Sequence, residues 1–233
     1  IKDAKLLQAI IDKKVTDKFE ILEILLKVSN NVKKIEQSPK KEVVEAKAKK
    51  KLVVYDTSII DVDGGMNSIT GDEAWGSVVD NNGNCLITKY RKRLKEDLKV
   101  TLKKVELPIA VRYVVVSKFN DVASQQNNGA ELLAMVIGLK ITDYQLEDTK
   151  SGNVADNIFS KEEMTKVIRS DSITILNTWS KGRVSDKLKK TIDPLKLEYV
   201  ELCGELRKQF EEHGGKLEKV AAKENKADLG FHR

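Results

Sequence analysis

Cysteine is scarce: Cys85 and Cys203 are the only two in 233 residues. Two cysteines cannot build a disulfide framework, so a reducing compartment is expected. Histidine is equally rare, with only His213 and His232, and no zinc-ligand spacing exists. No apolar run is long enough to span a bilayer, and no signal-peptide pattern is present. The reading is therefore no membrane and an intracellular setting: cytoplasm, nucleoid, nucleus or a viral assembly. The chain opens on Ile1, as a fragment or a processed chain would.

Charge is what the chain has in quantity. Charged residues make up 33%, with Lys and Arg outnumbering Asp and Glu 42 to 36, giving net +6 and a pI near 9.0. The surplus leans mildly towards a polyanionic partner. Hydrophobic content of 40% supports a globular core.

Apolar spacing divides the chain. In residues 1–36, Leu6, Leu7, Ile10 and Ile11, then Phe19, Leu22, Leu25, Leu26, Val28 and Val32, recur at helical intervals and predict a helical extension. Such an extension suits packing on a protein partner or on a second copy. Residues 37–51 read as a lysine-rich linker that starts near Pro39. From residue 52 to 233 the pattern predicts one α/β domain, a mixed sheet of five or slightly more strands flanked by helices.

Within that domain strands are predicted at 57–63, 74–79, 85–90, 109–116, 164–169 and 216–220, the first three as a meander around a turn at 80–84. Arg91 to Lys104 carry many bases. Helices are expected at 130–140, at 173–179, from Asp193-Pro194 to about Glu212, and briefly from Asn225; residues 145–161 read as loop. Asp193 suits an N-cap and Pro194 the first helical position.

Four carboxylates stand where these elements can bring them together. Asp63 follows an apolar β-branched run and precedes Gly64-Gly65. Glu131 opens a helix, Asp171 ends a strand, and Asp228 lies in the last short element. Four converging acids repel unless cations are bound. Hard oxygen donors suit Mg²⁺, and two such ions about 3.5–4 Å apart can activate water and stabilise the leaving oxygen of a phosphodiester. Asp61 lies two residues before Asp63 and so shares its strand face, which makes it a rival first ligand or a fifth acid.

The motifs Asp63-Gly-Gly65, Asn127-Asn128-Gly-Ala-Glu131-Leu-Leu-Ala134, Ser170-Asp171-Ser172 with Asn177-Thr-Trp179, and Glu224-Asn225-Lys-Ala-Asp228 occur in this order. In this the chain resembles type 1 ribonuclease H, over about residues 52–233. The resemblance implies a ribonuclease H-like fold and hydrolysis of the RNA strand of an RNA/DNA hybrid with two Mg²⁺ or Mn²⁺ ions, leaving 5′-phosphate and 3′-hydroxyl ends. It implies that Asp63, Glu131, Asp171 and Asp228 are metal ligands, with Glu131 close to the ribose 2′-hydroxyl, and that Asn127 and Asn128 touch the hybrid's minor groove. Gly64-Gly65 would leave room for the substrate backbone, and Lys187, Lys189 and Lys190 would meet phosphates.

The chain departs from the family in the segment at 91–120, which looks like an insertion, in a basic connection shortened to Lys181–Lys190, in the lack of a family-type N-terminal hybrid-binding domain in residues 1–50, and in the loop before the last acid. Many members carry a histidine before the last acid, whereas residues 221–225 are Ala-Ala-Lys-Glu-Asn, so Glu224 or Lys223 stands nearest to that role. Two further readings of the same residues remain: a DNA nuclease or junction resolvase on this fold, and a non-catalytic nucleic-acid-binding or scaffold protein.

Overall fold

The computed structural model describes residues 55–66, 73–98, 100–106, 111–119, 126–150 and 164–230. The chain divides into two units, Ile1–Val53 and Val54–Arg233, and every described residue belongs to the second. The expected extension and linker lie outside the described residues.

Strand β1 (Ile59–Met66) is the middle of the sheet. It pairs antiparallel with β2 (Glu73–Asp80) on one side and parallel with β5 (Val167–Ser170) on the other. β2 pairs antiparallel with β4 (Val111–Lys118), which pairs with β3 (Thr101–Glu106); β5 pairs parallel with β6 (Lys216–Lys219). The described residues thus form a six-stranded mixed sheet in the order β3-β4-β2-β1-β5-β6. The alternation along β1 buries Ile60 and Val62 completely, as expected for a central strand.

The expected return strand at 85–90 is instead the start of helix α1 (Ile87–Leu98), and Cys85 makes only an isolated bridge to Val79. Two features explain the difference. The Asp80 carboxylate accepts from the backbone N–H of Asn82 (2.9 Å) and Asn84 (2.7 Å), which closes a tight turn and ends the sheet pairing. Ile87, Tyr90 and Leu94 then recur at helical spacing and are the buried face of α1. The third strand of the antiparallel half is β4. The segment that looks inserted therefore supplies two strands of the sheet, β3 and β4.

Helix α2 (Gln126–Lys150) is longer than expected at both ends and takes in the start of the presumed loop at 145–161. Residues 132–139 are all buried, because the helix lies between the sheet and helix α5 (Pro194–Glu212). A helix enclosed on all sides needs no polar stripe, and α2 has almost none there. Residues 173–181 form short helix α3 (Ile173–Asn177) and a 3₁₀ turn at Trp179–Lys181, with Trp179 in the core. Helix α4 is the single turn Asp186–Lys189.

Helix α5 begins as its sequence predicts: the Asp193 side chain accepts from the Leu195 N–H at 2.8 Å, with Pro194 in the first turn. It ends at His213, followed by Gly214 at φ +82°, a left-handed conformation that favours glycine. The short helix expected from Asn225 does not form. The Asn225 side chain donates to the Val62 carbonyl (3.0 Å) and accepts from the Ala227 N–H (3.1 Å), an Asx-type turn that competes with helix.

Candidate metal centre

The parallel register of β1 and β5 sets the site. Asp61 is paired with Arg169, so Asp63 and Asp171, each two residues further on, stand at the same level. Glu131 arrives from the first turns of α2. One carboxylate oxygen from each of Asp63, Glu131 and Asp171 lies within 4.8 Å of the others.

Gly64 is what lets α2 come this near. A Cβ there would sit 2.1 Å from the Ala130 carbonyl carbon and 2.1 Å from the Glu131 nitrogen, which no side chain can do. The room at Gly64 is thus filled by the protein's own helix. On that side Gly64 meets the helix, while its backbone and that of Gly65 line the pocket beside it. Gly64 also donates its backbone N–H to Glu131.

Asp63, Gly64, Gly65, Met66, Asn127, Glu131 and Asp228 line a pocket of about 100 Å³, room for several waters or a hydrated ion. Asp228 therefore shares the pocket but stands outside the three-carboxylate cluster. Its segment is tied to β1, because the Leu229 N–H donates to Asp63 Oδ2 at 3.3 Å. Asn128 is half-buried beside Asn127 and does not line the pocket. Lys187, Lys189 and Lys190 are exposed on and after α4, outside the pocket lining, with Lys189 3.8 Å from Asp186. Lys223 and Glu224 are exposed on a 3₁₀ turn.

Electrostatics show the stress of crowding these acids. Burial, then the charges of Asp63 and Asp171, push the Glu131 carboxyl up to about 9 against an ordinary 4.5. Two full charges 4.8 Å apart repel by about 3.5 kcal/mol at an effective dielectric near 20. Glu131 Oε2 and Asp171 Oδ1 are buried and have no hydrogen-bond donor among the described residues. Buried carboxylate oxygens aimed at one another and left without donors are what a hard cation satisfies. The residues present fit a divalent ion.

Asp61 stands apart from the three-carboxylate cluster. It is fully buried and occupied by the Arg169 guanidinium, Nε to Oδ1 at 2.6 Å and Nη2 to Oδ2 at 3.0 Å, and it also accepts from the Lys226 N–H at 3.1 Å.

One buried cation escapes a sequence reading built on acids. Lys196 is 0% exposed in the first turn of α5, with Nζ 5.0 Å from the Phe119 ring centroid and packed on Gly129 of α2. Desolvation lowers its ammonium to about 8. Its signal was periodicity: position 196 falls on the stripe shared by Tyr199, Val200, Cys203, Leu206 and Phe210, all buried. No helix among the described residues is long and apolar enough to cross a membrane. Comparison with protein-family models and with curated proteins finds no match to this chain.

Proposed function

We propose that this chain is a metal-dependent endonuclease that hydrolyses the RNA strand of RNA/DNA hybrids. The observation that carries the reading is the convergence of Asp63, Glu131 and Asp171 within 4.8 Å, with Asp228 and Asn127 lining a pocket together with Asp63 and Glu131. The strand order, four antiparallel strands (β3-β4-β2-β1) continued by the parallel strands β5 and β6, with α2 packed on the sheet, is compatible with a ribonuclease H-like arrangement but not specific to it.

Asp63, Glu131 and Asp171 would hold the divalent ions, Mg²⁺ or Mn²⁺, with Asp228 completing the set from the pocket wall. Bound there, the ions supply an activated water and charge stabilisation at the leaving oxygen. The protein's own part is to hold the acids rigidly on two strands and a helix, which leaves little to reorganise during reaction. Glu131 retains a proton when no cation faces it and gives that proton up to make a ligand. Asn127, exposed at the pocket lip, carries an amide that both donates and accepts, so it suits a ribose 2′-hydroxyl or a base edge in a minor groove. This feature favours a hybrid over duplex DNA.

The test is cleavage of an end-labelled hybrid with Mg²⁺, run beside duplex DNA and duplex RNA of the same sequence. Wild type is expected to cut only the RNA of the hybrid, leaving 5′-phosphates, and Asp63→Asn and Asp171→Asn to be inactive. Equal activity in all three proteins would sink the proposal. Faster cutting of duplex DNA would transfer the site to the DNA-nuclease reading.

A further inference from the structure

Three residues form a second layer beneath the acids, and each stands two positions before one of them. Asp61 precedes Asp63, Arg169 precedes Asp171, and Lys226 precedes Asp228. Asp61 is the hub. It takes both arms of the Arg169 fork from the neighbouring parallel strand and the backbone N–H of Lys226 from the segment that carries Asp228.

A buried ion pair is a poor way to stabilise a sheet, since an apolar pair of similar size does as well or better. Its distinctive property is geometric. The planar guanidinium meets both carboxylate oxygens at 2.6 and 3.0 Å, which fixes the sliding register of β1 against β5. A slip would carry Asp63 and Asp171 apart, and would also release the turn that brings in Asp228. The neighbouring contacts reinforce this, with Asn225 on the Val62 carbonyl and Leu229 on Asp63.

We infer that Asp61 and Arg169 are positioning residues that hold three acid-bearing segments in register for cation binding. The inference rests on the reading of the site as a metal centre, and its test reads cation affinity directly. Mn²⁺ is titrated into the full chain and free Mn²⁺ is followed by electron paramagnetic resonance, for wild type, Asp61→Asn and Arg169→Lys. Asp193→Ala, which removes the α5 cap, serves as a control for mere loss of stability.

Arg169→Lys keeps the charge and loses the fork. It is expected to fold, with an unchanged circular dichroism spectrum, and to bind Mn²⁺ on the order of 10-fold more weakly, the usual size for a residue that orients a ligand. Asp61→Asn should weaken binding at least as much, and the cap variant should bind like wild type. On a hybrid substrate kcat should fall with KM unchanged. Wild-type affinity in folded Arg169→Lys overturns the inference. So does failure of Arg169→Lys to fold, because the pair would then be holding the sheet and not the site. If Asp61→Asn alone fails to fold, Arg169→Lys decides. Weakened Mn²⁺ binding in the variants, with no protein cutting any hybrid, would sustain the positioning role and overturn the endonuclease reading. A wild type that binds no Mn²⁺ overturns both.

Discussion

Glu131→Gln should make the metal-free protein more stable, and the gain should grow with pH. In the fold the Glu131 carboxyl is held near 9, against 4.5 ordinarily, so between those values the native state keeps a proton that the unfolded chain gives up. An acid raised in this way costs stability as pH rises through that window, by up to about 1.4 kcal/mol per pH unit. From about pH 5.5 to about pH 7.5 the wild type should lose roughly 2.5 kcal/mol relative to the glutamine variant, which has nothing to titrate at this position. Below about pH 4.5 the two should converge, since both states then bind the proton. A divalent ion reverses the order. At a hundred times its dissociation constant it stabilises the wild type by about 2.7 kcal/mol, and the variant, lacking one anionic ligand, should gain far less. The assay is urea unfolding across this pH range with chelator and again with millimolar Mg²⁺. Parallel pH profiles in chelator, or equal Mg²⁺ shifts in both proteins, would refute the claim that the three carboxylates form one strained cation site.

Two other perturbations follow from the geometry. Gly64→Ala forces a methyl group into the Ala130–Glu131 backbone, so β1 and α2 must separate; the expected loss is about 3 kcal/mol in denaturant melts, with weaker Mn²⁺ binding, and a neutral result would contradict the packing. Replacing exposed Lys187, Lys189 and Lys190 with alanine should leave folding and Mn²⁺ binding intact while reducing the salt dependence of hybrid binding, by roughly 0.9 in log–log slope for each phosphate that a lysine no longer neutralises. An unchanged slope would remove these lysines from the interface.

Much of the site was legible because its signals are local. Asp63 lies within a strand and Asp171 directly after one, each with a plain apolar pattern, and Glu131 precedes an unbroken run of buried residues, so elements and carboxylates are legible together. The cap and first proline of α5 are likewise written in two adjacent residues. The misread elements were decided at a distance. Cys85-Leu86-Ile87 has strand composition, but the Asp80 turn ends pairing there and the next ten residues carry a helical stripe. Asn225-Lys-Ala-Asp228 has helical composition, yet the Asn225 side chain is claimed by β1, more than a hundred residues away. Asp61 is ambiguous for the same reason: alternation puts it on the same face as Asp63, and its long-range pairing with Arg169 is not written in the local sequence. The role of Gly64 also needed three dimensions, since the body filling the space beside it belongs to α2.

The enclosure of α2 has a consequence for how the site comes into being. Residues 132–139 of α2 have no outward face, so this stretch depends on both of its neighbours, the sheet and α5. Asp63 and Glu131 come from the first half of this unit, and Asp171 and Asp228 from the second. The acids therefore cannot meet in a half-made domain. The full cluster, and the repulsion it carries, needs both halves of the unit.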